Sequence, residues 1–143
     1  MTDRILIATD GSDESQAAVD YGGKLADLAD AEVHILYVVE TQANYILSVG
    51  LKDNELEEYR EHGRETVREA TEYLKERGVG SKGVVRTGSV AQEIVDYADD
   101  EDINHIVVGR QGRGAVEQYL GSTAEKVVRM SHVPVTVVRT GDL

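Results

Sequence analysis

Residues 5–12 read Ile5-Leu6-Ile7-Ala8-Thr9-Asp10-Gly11-Ser12. A branched apolar run passes without a break into a turn of small polar residues that carries a carboxylate. No charge interrupts Ile5 to Ala8, as expected of a strand covered on both faces in a parallel sheet. The same character returns at Val33-His34-Ile35-Leu36-Tyr37-Val38-Val39, at Gly83-Val84-Val85-Arg86, from Ile103 through Val108 and from Val133 through Val138. Between the runs lie helical spacings. Ala18, Tyr21, Gly22, Leu25, Leu28 and Ala29 mark one face of the first helix. Leu56, Tyr59, Gly63, Val67, Ala70 and Leu74 step by three or four along the second. Its opposite face carries Glu57/Arg60, Glu61/Arg64 and Glu65/Arg68 at i,i+3, a solvated surface.

Ser89…Gln92 and Ser122…Glu125 have capping-box spacing and open the third and fourth helices. Gly78 ends the helix running from Glu55 to Arg77. Strands alternating with helices predict right-handed βαβ crossovers, hence an α/β fold with a parallel sheet in one domain over residues 1–143. The segment Thr41–Lys52 is too apolar for a plain loop and too irregular for a helix. It reads either as a flap over a site or as a wide connection.

The 143 residues match one domain of about 150. Fifteen Lys and Arg stand against 27 Asp and Glu, a net charge of −12 that repels phosphate backbones and disfavours a nucleic-acid partner. No apolar run approaches the roughly 18–20 residues needed to span a bilayer. Met1-Thr2-Asp3-Arg4 opens directly into a strand-like run, so neither membrane nor secretion is expected and the chain reads as cytoplasmic. With no cysteine, disulfides, thiolate metal sites and thiol catalysis are excluded.

In an open α/β sheet, ligands bind beyond the carboxyl ends of strands, where strand order reverses. Two strand ends carry unusual residues: Ala8-Thr9-Asp10-Gly11-Ser12 after the first, and Gly109-Arg110-Gln111-Gly112-Arg113-Gly114 after the fourth, followed by Gly121-Ser122-Thr123 at a helix start. Glycines let backbone N–H groups approach a phosphate, and a helix N-terminus adds about half a positive charge. Arg110 and Arg113 add more. The arrangement reads as an anion cradle for nucleotide phosphates, or as glycines that only make turns. It is neither a Walker A loop nor the dinucleotide fingerprint after the first strand.

Ile5 through Ser12, Ile106-Val107-Val108-Gly109 with its glycine loop, Gly121-Ser122-Thr123-Ala124-Glu125-Lys126-Val127-Val128 and His132-Val133-Pro134-Val135-Thr136-Val137-Val138 together resemble the universal stress protein family over essentially the whole chain. The resemblance implies a doubly wound, Rossmann-like (adenine nucleotide α-hydrolase-like) five-stranded parallel sheet in order 3-2-1-4-5, with helices on both faces. It implies a stress-response module that binds ATP, or AMP or ADP, with Mg²⁺ held through phosphates rather than by protein ligands. Ala8, Thr9, Asp10 and the main chain of Val38 would hold adenine and nearby ribose atoms. Val108, Gly109 and Gly112 would line the ribose and first phosphates, and Gly121, Ser122, Thr123 and Ala124 the phosphate tail, with Arg113 beside them. The family's nucleotide-binding pattern is Gly-x2-Gly-x9-Gly-Ser/Thr. Here only eight residues, Arg113 to Leu120, separate Gly112 from Gly121.

Other chemistries fit less well. Asp10 and Asp13 could belong to a phospho-accepting receiver domain, but that needs an acid after strand three and a lysine after strand five, where Arg86-Thr87 and Arg139-Thr140 stand. His34, His62, His105 and His132 are scattered without metal-ligand spacing. Asp99-Asp100-Glu101-Asp102 cannot converge on a cation from consecutive helical positions. Ser122 has no His or Asp at a recognisable catalytic offset. No residue stands out as a base, so any ATP hydrolysis is expected to be slow. The alternative to a nucleotide-binding module is a nucleotide-free dimeric scaffold. A homodimer is expected through Val133–Val138, a bare apolar edge with no internal charge, because the tail Thr140-Gly141-Asp142-Leu143 is too short to cover it.

Only five of the 15 basic residues are lysine, and the acidic run 99–102 follows a helix end whose dipole disfavours negative charge. Either a hydrated acidic surface adapted to a salt-rich cytoplasm or ordinary acidic solubility accounts for the acid excess, and the first is the expectation that salt dependence tests. The melting temperature should then keep rising with KCl well past about 0.5 M, where screening of exposed charges is largely complete; a flat curve beyond that point refutes the adaptation.

Overall fold

The computed structural model describes residues 3–41, 53–110 and 120–140. The elements run β1 (Arg4–Ala8), α1 (Asp13–Ala29), β2 (Glu32–Glu40), α2 (Asp53–Glu76), β3 (Ser81–Gly88), α3 (Val90–Asp100), β4 (His105–Gly109), α4 (Ser122–Met130) and β5 (Val135–Val138). The strands form one parallel sheet in the expected order β3-β2-β1-β4-β5. β1 is central, and its alternation assigns the two layers. Ile5 and Ile7 pack with Val19, Ala26, Val67 and Leu74 on the α1/α2 side. Leu6 packs with Ile94, Tyr97, Ala124 and Val127 on the α3/α4 side. Most of Thr41–Lys52 lies outside the described residues, as do Gly112 and Arg113.

The inward face of α1 differs from the expected one. Ser15, Ala18, Val19, Gly22, Gly23 and Ala26 are buried, whereas Tyr21 is 44% and Leu28 87% exposed. The helix lies too close to the sheet for large side chains. A Cβ on Gly22 would sit 2.7 Å from Ile7 Cγ1, and one on Gly23 2.5 Å from Leu74 Cδ2. A reading weighted by side-chain hydrophobicity selects Tyr21 and Leu28 and so rotates the helix off its small-residue stripe.

The anticipated Glu/Arg pairs of α2 all form, with Arg60–Glu57 at 3.7 Å, Arg64–Glu61 at 2.8 Å and Arg68 paired to Glu65. Exposed and screened by solvent, pairs of this kind add little to stability. The capping boxes do not form. Ser89 is the N-cap of α3 without a side-chain bond, and the N-cap of α4 is Gly121, one residue before the expected serine. The acidic end of α3 also has more local support than its sequence shows. The Arg4 guanidinium donates to the Glu101 carbonyl at 3.0 Å, and Arg86 lies 3.8 Å from Asp100. Cations from β1 and β3 thus meet the negative end of the helix dipole.

Beneath α3, His34 of β2 is buried, with Nδ1 2.6 Å from the Tyr97 hydroxyl. Burial raises the Tyr97 phenol, so its O–H stays protonated and shares this hydrogen bond with the neutral imidazole. The Arg86 guanidinium lies over the same ring at 4.7 Å. Burial holds His34, and likewise His105, below the usual imidazole range. A depressed histidine binds fewer protons folded than unfolded once the pH drops below about 6.5, so folding stability must fall on acidification below that value. Denaturant midpoints should therefore decrease from about pH 7 to about pH 5, and less steeply in His34→Gln, which cannot be protonated. An equal slope in both proteins refutes the assignment.

Candidate functional site

Strand order reverses at β1, whose neighbours are β2 and β4. A cavity of about 510 Å³ opens beyond the carboxyl ends of these strands. Ala8, Thr9, Asp10, Val38, Val108, Gly109, Gly121, Ser122, Thr123 and Ala124 all line it. Every proposed site residue that the structure describes therefore meets in one crevice. Sequence reasoning missed its outer wall: Tyr59 of α2 and Val90 and Ile94 of α3 also line it, as does Glu40 at the end of β2. Val90 and Ile94 carry no signal beyond that of ordinary core positions. Tyr59 belongs to the apolar stripe of α2 but is 47% exposed at the cavity.

One end of the cavity is apolar and edged by β2. The Thr9 amide donates to the Leu36 carbonyl at 3.0 Å, the last bond between β1 and β2. Main-chain groups alternate in direction along a strand, so Val38, two residues further on, also presents its N–H and C=O toward the β1 side. β1 has turned away by then, and neither group has a partner among the described residues. The turn is held by its own hydrogen bonds. The Thr9 hydroxyl lies 3.0 Å from that of Ser15 and accepts from the Gly11 amide at 3.2 Å, while Asp10 Oδ1 accepts from the Ser12 amide at 2.9 Å. Thr9 thus shapes the floor, and Asp10 keeps a second carboxylate oxygen for a ligand.

The other end is polar and positive. The Arg110 amide donates to the Val138 carbonyl at 2.7 Å, and the Gly121 amide donates to the Arg110 carbonyl at 2.7 Å. These bonds place the first turn of α4 directly beside the end of β4, the short spacer notwithstanding. The Ser122, Thr123 and Ala124 amides follow the N-cap and have no acceptor among the described residues, the usual condition of an anion-binding helix start. Gly109 has a structural reason to be glycine as well, because a Cβ there would lie 2.8 Å from the Glu14 carbonyl oxygen. The Glu14 carboxylate in turn holds Thr140, accepting from its amide at 2.8 Å and its hydroxyl at 2.9 Å. Among the described residues no group of His, Asp and Glu is placed to hold a metal ion, and no helix is long and apolar enough to cross a membrane.

The sequence profile of the universal stress protein family matches residues 1–139. Universal stress protein MJ0531 of Methanocaldococcus jannaschii is 35% identical over 138 residues, covering 95% of this chain and 81% of its own length. The solved structure of protein MJ0577 from the same organism superposes with a TM-score of 0.86 at 26% identity, covering 100% of this chain and 99% of the other. A universal stress protein solved in complex with cAMP superposes at 0.76 with 25% identity, covering 97% of this chain and 98% of its own.

Proposed function

The chain belongs to the universal stress protein family, and from that premise we propose that its crevice binds an adenine nucleotide, ATP foremost, as a stress-response signalling module. The free main-chain edge at Val38 carries the reading. A donor beside an acceptor on one edge complements the N1 acceptor and N6 donor of adenine, and it opposes guanine, whose N1–H and O6 reverse the pattern. The Asp10 carboxylate suits ribose hydroxyls, and the free amides of α4 suit phosphates. Mg²⁺ would ride on phosphate oxygens. The cAMP-bound relative supports an adenine-nucleotide ligand for this fold.

Saturating ATP at about 100 times its Kd should stabilise the protein by about 2.7 kcal/mol, and GTP should not. Ser122→Glu separates the site from the fold. An acid at the first position of a helix is tolerated by the dipole, while it repels phosphate. The variant should melt no lower than the parent and bind ATP at least about tenfold more weakly. A parent that no adenine nucleotide stabilises favours the nucleotide-free scaffold instead.

We further infer a homodimer through β5, which lies at the sheet edge. Val135 and Val137 direct their side chains into the α3/α4 core, so charging either would damage the monomer. Their main-chain groups point the other way. Pro134 and Val138 give their carbonyls to β4, and by alternation the Val135 and Val137 amides face outward. Val137→Pro removes one outward donor and no bond to β4, a substitution edge strands accept. Light scattering should report a monomer for this variant; an unchanged dimer places the interface elsewhere.

A further inference from the structure

The acid excess leaves few arginines without a partner. Arg4, Arg60, Arg64, Arg68, Arg86 and Arg129 each lie within 4.0 Å of a carboxylate. Arg110 is different. It lines the crevice beside Ser122 and Thr123, no carboxylate among the described residues pairs with it, and its Nε is buried with no hydrogen-bond partner. A buried guanidinium N–H left unsatisfied is costly. Its surroundings do not let it relax away at the main chain, which is held by Val138 on one side and Gly121 on the other, both at 2.7 Å. In a protein with 27 acids, an arginine held by its main chain at the polar end of a cavity, with no acid among the described residues against it, is set for an anion from outside.

Resting on the adenine-nucleotide reading, we propose that Arg110 is a specificity-determining residue that makes this site select linear adenine nucleotides over cyclic nucleotides and over the nucleoside. A guanidinium offers a fork of donors that matches phosphate oxygens bidentately. Together with the three free amides of α4, it supplies more donors than a cyclic phosphodiester can satisfy, with its single charge and two free oxygens. A linear phosphate chain presents more oxygens and more charge to the same groups. With a cyclic ligand or the nucleoside, part of this donor set stays unpaired.

The test is to titrate the parent, Arg110→Gln and Arg110→Lys with ATP, cAMP and adenosine, at low and at moderate KCl. Arg110→Gln should weaken ATP at least about tenfold, leave adenosine within about twofold, and narrow the ATP-over-cAMP ratio. Arg110→Lys should recover part of the loss, since it restores the charge but not the fork. ATP affinity should also fall less with added KCl in the Gln variant than in the parent, a readout that a purely structural role would not move. Equal weakening of ATP and adenosine, or no change in either, overturns the role of Arg110 while leaving nucleotide binding intact. A parent that binds none of the three overturns the nucleotide reading, and this one with it.

Discussion

The close approach of α1 to the sheet is the constraint on which the rest depends. Along its length the helix lies so close to its neighbours that an added side chain would have to displace backbone or packed side chains. The main chain of Glu14 presses on Gly109 of β4, Gly22 on Ile7 of β1, and Gly23 on Leu74 of α2. A helix held this near the strands fixes how β1 leaves the sheet at Thr9 and where β4 ends. The crevice is the gap left between those two departures. The glycine at 109, which a motif reading assigns to ligand approach, is required by packing before any ligand is considered.

The sheet was legible because its signal is redundant. Five runs rich in Val and Ile, each bounded by turn residues, specify strands whatever the details of any one residue. The α2 surface was legible for a related reason, since i,i+3 acid–base pairs need only local helix geometry. The α1 face is misread from sequence because small residues carry little hydrophobic weight while deciding how near two elements can lie. The capping box puts the start of α4 one residue late, because Gly121 has no side chain to announce a cap.

At the site, the residues that could be placed from sequence are those on strand ends and glycine turns, where chain direction alone puts them in the crevice. Tyr59, Val90 and Ile94 reach it from helices distant in sequence, and their residue types look like core. The free edge at Val38 was not derivable from residue types at all. It arises because β2 runs four residues past Leu36, where its last bond to β1 is made, a matter of relative strand length. Arg110 stands out in the sequence only as charge; that its Nε is buried without a partner among the described residues depends on where the fold puts their acids.

The bond between the Gly121 amide and the Arg110 carbonyl closes the glycine loop at its base like a clasp. Chain entering and leaving positions 111–119 starts and ends at two points a single hydrogen bond apart, so a change in the length of that stretch need not displace β4 or α4. A spacer of eight residues in place of nine is then a local edit. What the bond holds in register is the pair of anchors themselves, the end of β4 and the start of α4.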